Sequence, residues 1–280
     1  MTSIPKILYT FWTNGNTGVV VDLCIQSMKR HFDGYEFVML PSNDLPKEMQ
    51  TASLPPAQQA DFARLDALAR TGGVWLDASC FVFNRSWLEE EAPKAEVMGF
   101  GAPFDGEILE SWALAAPAAS PFMIAWRDEF KQAIKEGTAA YCNRVKDHVP
   151  PNLHGFLPYL TIHATAAVVR NSRPPEAVHL SPSVPHGPYG VHSLLGWNDS
   201  ATALYILTQP ADNIQRHCGS FSKLRGAERL ALEKHMELLQ FHIHPESIMY
   251  VKLQQPDSRG IYLCLACCVL VVCTVWWFNH

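Results

Sequence analysis

The stretch ADFARLDALARTGGVWLDAS, residues 60–79, gathers acids, arginines and hydroxyls within one helix-to-strand passage. Asp61 and Arg64 are three residues apart, so a helix presents them on one face. Gly72-Gly73 can close that helix in a left-handed conformation and turn the chain tightly. The apolar run Val74-Trp75-Leu76 then reads as a short strand that delivers Asp77 to a sheet edge, with Ser79 two positions on. Carboxylates, a guanidinium and a hydroxyl gathered at one edge could hold a polar, charged ligand. Each part also has an ordinary meaning. A helix ion pair at this spacing is usually a surface contact that stabilises little, and Asp66 with Arg70 reads that way. A glycine pair ends a helix in any protein.

The elements around this stretch must place it. Residues 6–12, KILYTFW, are rich in strand formers and run into the Asn14-Gly15 turn signal. A helix over 19–31, a strand over 35–40, a proline-bearing loop over 41–56, a helix over 57–70 and a strand over 74–76 follow. This alternation predicts a mainly parallel sheet wrapped by helices. Ligands in such sheets bind at the C-terminal strand ends, where Trp12 and Asp77 both fall. Further on, the pattern predicts a strand over 111–116 and a helix from Ser120-Pro121 to about 136, stopped by Gly137. Residues 172–190 hold five prolines and read as a long loop. A strand is expected over 204–207 and a helix over 227–241.

Bulk properties narrow the function. The chain has 280 residues, enough for a full core, and a net charge of −5. An acidic balance argues against nucleic acid as the main partner, since phosphate binding needs clustered Lys and Arg. The eight cysteines do not form a disulfide framework, and Cys264 and Cys267 have CxxC spacing without a second pair or a nearby His. Reduced, buried thiols are the expectation. The N-terminus reads as a strand and not as a signal peptide. Residues 261–278, IYLCLACCVLVVCTVWWF, carry no charge. As a helix they would span about 27 Å, close to the ~30 Å hydrocarbon core. Lys252 and Arg259 precede them and Trp276 and Trp277 close them, as expected of a C-terminal transmembrane helix that leaves the main domain on the cytoplasmic side. A buried C-terminal strand or core helix is the other reading.

QADFARLDALARTGGVWLDAS resembles the core signature of family 32 glycosyltransferases, in particular the capsular polysaccharide synthesis group. IPKILYTFWTNG is similar to that family's opening strand, and CIQSMKRHFDGYEFVML to the next helix and strand. ESWALAAPAASPFMIAWRDEF and the later SFSKLRGAERLAL continue the resemblance, which covers about residues 4–235. It implies an α/β, GT-A-like fold: a Rossmann-type nucleotide-sugar domain over 1–255, with its nucleotide-sugar half at about 1–110 and its acceptor half at about 111–255. The apolar tail lies outside it.

The resemblance also implies roles. Trp12 would stack on the donor base, Asp61 would hold sugar hydroxyls, and Arg64 would offer its planar fork to the donor. Gly72 and Gly73 would bring the backbone round beside it. Asp77, the first acid of a D-x-D motif, would contact ribose and help place Mn²⁺ or Mg²⁺. Ser79 stands where many relatives carry the second Asp, and a serine hydroxyl is a poorer ligand for such a cation than a carboxylate. His163 and His192 are the candidate replacement ligands. Asp105, Glu107 and Glu110 read as an acidic loop, either solvated or facing the acceptor. The implied activity is transfer from a nucleotide sugar, a UDP-sugar before a GDP-sugar, to a glycan or lipid-linked acceptor, with retention of configuration. Two other readings stand beside it: a membrane-tethered nucleotide-sugar-binding assembly subunit without turnover, and an interaction domain in which the stretch is only a joint.

Overall fold

The computed structural model describes residues 3–13, 17–40, 54–91, 95–238 and 246–249. The opening apolar run forms β1 (Ile7–Phe11), and α1 (Gly18–His31) ends on Lys29, Arg30 and His31, charges that suit a helix C-terminus. β2 (Glu36–Leu40) follows. α2 (Pro56–Thr71) starts with Pro at its first position, and β3 (Gly73–Leu76) and β4 (Cys80–Val82) come next. The chain then forms α3 (Ser86–Glu91), β5 (Val97–Ala102), β6 (Asp105–Ala116), α4 (Pro121–Glu136), α5 (Thr138–Val145), α6 (Thr161–Asn171) and β7 (Val178–Ser181). It continues with α7 (Gly190–Leu194), α8 (Asp199–Thr208), α9 (Ala211–Cys218), β8 (Phe221–Lys223) and α10 (Gly226–Leu238).

Six strands make the main sheet in the order β2-β1-β3-β6-β5-β7. The pairs β1–β2, β1–β3 and β5–β7 are parallel, while β6 runs antiparallel to β3 and β5. Five strands therefore share one direction, and the expected mainly parallel α/β sheet is present. β4 and β8 form a separate antiparallel ribbon.

Side-chain alternation assigns the two faces of this sheet. Tyr9, Trp75 and Leu114 point into a core shared with Phe62, Leu65, Phe122 and Trp126 of α2 and α4. Their neighbours Leu8, Val74, Leu76 and Ala113 point the other way, into a core shared with Met28 of α1, Trp112 and Phe221. Trp75 and Asp77 are two residues apart, so Asp77 leaves the strand end on the α2 side.

Three expectations need correction. The predicted strand over 204–207 lies inside α8, because the Asn198 side chain accepts from the Ala201 N–H (2.9 Å) and caps a helix there. Ala203, Ile206 and Leu207 then share its buried side. The long loop over 172–190 contains β7, which pairs with β5 despite the flanking prolines. The acidic loop with Asp105, Glu107 and Glu110 is the first half of β6, paired back on β5 near Ala102. By contrast, Ser120 Oγ accepts from the Met123 N–H (3.1 Å) at the start of α4, as the Ser-Pro pair predicts. Cys24, Cys80, Cys142 and Cys218 are free and buried. Among the described residues no helix is long and apolar enough to cross a membrane, and the expected C-terminal transmembrane helix over 261–278 lies outside them.

Candidate active site

Helix and strand geometry brings Arg64 level with Asp77. Arg64 is eight residues before Gly72, about 12 Å along a helix. Asp77 is four residues after Gly73, about 13 Å along a strand. The chain doubles back at the glycines, so the two side chains meet.

They meet in a bonded cluster. The Arg64 Nη1 group donates to Asp61 Oδ1 (2.8 Å) and to Ser111 Oγ (2.5 Å), and Nη2 donates to Asp77 Oδ1 (2.7 Å). Trp75 Nε1 donates to the same Asp77 oxygen (3.0 Å), and its ring lies 5.0 Å from the Arg64 guanidinium carbon. The second Asp77 oxygen accepts from Lys223 Nζ at 2.8 Å, and that ammonium also donates to Ser79 Oγ at 2.8 Å. Arg64 is only 4% exposed, so this is no surface ion pair. Two carboxylates and a hydroxyl engage its Nη1 and Nη2 groups, while the buried Nε has no hydrogen-bond partner among the described residues.

The backbone fixes each partner. Asp77 N–H donates to the Trp112 carbonyl (2.8 Å), which continues the β3–β6 ladder one step and sets Ser111 beside Arg64. Lys223 pairs with Cys80 across the β4–β8 ribbon, and Leu224 N–H donates to the Ser79 carbonyl (3.0 Å). Burial pushes Asp61 up to about 6, against the opposing pull of Arg64 and His163. Burial would also raise Asp77, but Lys223 and Arg64 outweigh it and hold that carboxyl well below the usual carboxylate range. Burial alone would favour a neutral Lys223, yet Asp77 raises its proton affinity above the ordinary lysine value.

The structure thus brings Asp61, Arg64, Asp77 and Ser79 together. Trp12 follows β1 and packs on Val21, Ile25 and Ala78, with the Arg229 guanidinium 5.3 Å over its ring. Gly72 and Gly73 do not join the cluster. They stand at the opposite end of β3, with φ of +66° and +111°. A Cβ on Gly72 would lie 2.4 Å from Ala118 N, and one on Gly73 2.7 Å from the Ile7 carbonyl oxygen. Their service is to the turn and to strand packing. Lys223, Ser111 and Trp75 were not singled out from sequence. Lys223 did carry a signal, a lysine within the S-F-S-K-L run that already took part in the family resemblance.

The donor set does not fit the expected Mn²⁺ or Mg²⁺. Such ions take several oxygen ligands, with carboxylates foremost. Asp77 Oδ1 is engaged by Arg64 and Trp75, while Asp77 Oδ2 and Ser79 Oγ are engaged by Lys223. His163 is paired with Glu110 (3.3 Å) and His192 with Glu228 (2.6 Å). Among the described residues no group of three or more His, Cys, Asp or Glu could hold a metal.

Residues 1–137 match the family model described as capsular polysaccharide synthesis protein, a span that holds every cluster residue except Lys223. No curated protein is significantly similar to the chain in sequence. Among solved structures, the chain is similar to a glycosyltransferase involved in the glycosylation of the major capsid of PBCV-1, at 11% identity, 83% of this chain, 99% of that one and a TM-score of 0.42. It is also similar to the PaToxG glycosyltransferase, at 14% identity, 88% of this chain, 87% of that one and a TM-score of 0.37.

Proposed function

Starting from a chain whose residues 1–137 match the capsular polysaccharide synthesis family, we propose a GT-A-type glycosyltransferase. It moves a sugar from a nucleotide sugar, a UDP-sugar by preference, to a glycan or lipid-linked acceptor. One observation carries this reading: Arg64 is fixed by Asp61, Ser111 and Asp77 at the C-terminal edge of a mainly parallel sheet. Ligands bind at that edge in such sheets, and a preorganised cation there can stabilise charge that develops on a leaving group.

In the transfer, the bond between donor C1 and the β-phosphate oxygen breaks, and its electron pair stays on the phosphate. The acceptor oxygen bonds to C1, and the acceptor proton leaves with the nucleotide diphosphate or to water. Retention of configuration is carried over from the family 32 resemblance. Asp61 accepts from the donor sugar's hydroxyls, Asp77 accepts from ribose, and Trp12 offers its ring to the base. Residues 261–278 anchor the chain, with the main domain on the cytoplasmic side.

The test is turnover by the full chain. UDP- and GDP-sugars are supplied with glycan and polyprenyl-phosphate acceptors, and product is read by mass spectrometry. Asp77→Asn, Asp61→Ala and Arg64→Ala are each expected to lower the rate by about 100-fold or more. Unchanged rates in all three would sink the site assignment. Donor binding without any turnover would favour the assembly-subunit reading. For the tail, an epitope placed after His280 should resist protease in intact membranes until detergent is added.

A further inference from the structure

We propose that Lys223 stands in for the divalent cation: its ammonium, clamped between Asp77 and Ser79, donates to the donor diphosphate and offsets part of its charge, and the transfer needs no metal. The inference rests on the nucleotide-sugar reading of this site.

Position is the first ground. Lys223 Nζ is 2.8 Å from Asp77 Oδ2 and 2.8 Å from Ser79 Oγ, the two side chains between which a D-x-D cation would be sought. An ammonium has three donors, and these bonds commit two, leaving the third for a phosphate oxygen.

Charge is the second ground. Ser79 in place of an acid leaves Asp77 as the single carboxylate facing Lys223, and one ammonium balances one carboxylate. A divalent ion would have to displace that ammonium. It would also approach Arg64, which is bonded to the other Asp77 oxygen. Repulsion between cations in a poorly solvated site is much stronger than in water. The substitution that weakens the metal site and the lysine that fills it therefore explain each other.

Rigidity is the third ground. A surface lysine wanders, but Lys223 has a side chain only 12% exposed and sits on a paired strand. Its N–H donates to the Pro188 carbonyl (3.0 Å). Phe221, two residues earlier, is fully buried, with its ring 5.5 Å from Trp87 and 6.0 Å from Phe100. The charge is delivered at a fixed point, as electrostatic stabilisation requires.

The experiment uses the full chain stripped with EDTA. Mn²⁺ alone is titrated in and the free-ion EPR signal is followed. UDP-glucose, UDP-galactose and GDP-mannose are then titrated by calorimetry, in EDTA and in Mn²⁺. The expected result is no Mn²⁺ uptake by the protein alone and a donor affinity that changes by less than about 2-fold between the two conditions. Lys223→Ala and Lys223→Gln, checked for folding by thermal melts, should each weaken the donor by about 10-fold or more. Lys223→Ala combined with Ser79→Asp rebuilds a carboxylate pair and should bind the donor only with Mn²⁺. Donor binding by the unaltered chain that vanishes in EDTA and returns with Mn²⁺ would overturn the inference, and that comparison needs no variant. A folded chain that binds no donor under either condition would instead overturn the nucleotide-sugar reading, and this inference with it.

Discussion

Lys223 Nζ and Asp77 Oδ2 lie 2.8 Å apart, although 146 residues separate them in the chain. On the other side of the same carboxylate, Arg64 Nη2 lies 2.7 Å from Oδ1. One acid thus holds two buried cations apart. Asp77→Asn would leave those cations facing each other with no charge between them. The expected cost is roughly 3–5 kcal/mol of folding stability, the range for breaking a buried ion pair. Lys223→Met in the same chain should restore part of that loss, with a coupling of about 1–3 kcal/mol. Urea unfolding of the two single variants and the double variant measures it. Strictly additive losses would mean that the three side chains do not act as a unit.

The two acids of the cluster should give the stability profile opposite slopes. Asp77 is held low by Lys223 and Arg64 against its burial, so its contribution is present above the ordinary carboxylate value. It is lost only as pH falls through its depressed folded value. Asp61 is pushed up to about 6, mainly by burial. Its neutral form suits the folded state, so that contribution is full below about pH 4 and disappears as pH rises through about 6. Between these values Asp61 makes stability fall with rising pH. Asp61→Asn should flatten that fall, read from denaturation midpoints taken from pH 4 to pH 7. A fall of unchanged steepness would place the titrating group elsewhere.

Much of this site was legible because its first half is local. Asp61 and Arg64 share a face through helical spacing, and a four-residue strand carries Asp77 back to their level. The Ser120-Pro121 start of α4 is equally local. What escaped depends on pairing between distant segments. Ser111 reaches Arg64 through the β3–β6 register, and Lys223 reaches Asp77 through the β4–β8 ribbon, and neither register is written in a nearby pattern. β4 and β8 have only three residues each, too few to show an alternation. The helix over Asp199–Thr208 is not legible in its apolar Leu204–Leu207 run, which is compatible with either state, and the Asn198 cap decides it.

The glycine pair should prove structural. Gly72→Ala would place a Cβ 2.4 Å from Ala118 N at a φ of +66°. Both the backbone strain and the clash oppose it, and a loss above about 2 kcal/mol is expected. Gly34 also has a positive φ, +81°, but open space around its Cβ position. Gly34→Ala should therefore cost only about 1–2 kcal/mol, the conformational term alone. Thermal and urea unfolding of the pair separates strain from clash, and equal losses would remove the packing role of Gly72.

A second buried pair supports the segment that bears Lys223. Glu228 Oε2 accepts from His192 Nε2 (2.6 Å) and from the Arg225 N–H (3.0 Å), and both Glu228 and His192 are fully buried. Glu228 thus ties the chain just after Lys223 to α7 without touching Asp77. Glu228→Ala leaves His192 without its partner and frees the Arg225 backbone, at an expected cost of about 3–5 kcal/mol. Glu228→Gln keeps an acceptor and should cost less. Because Lys223 is positioned from this side, Glu228→Gln should also weaken donor binding in calorimetry while the Asp61–Arg64 pair stays intact. A variant that loses stability yet keeps its donor affinity would show that the β4–β8 ribbon alone fixes the lysine.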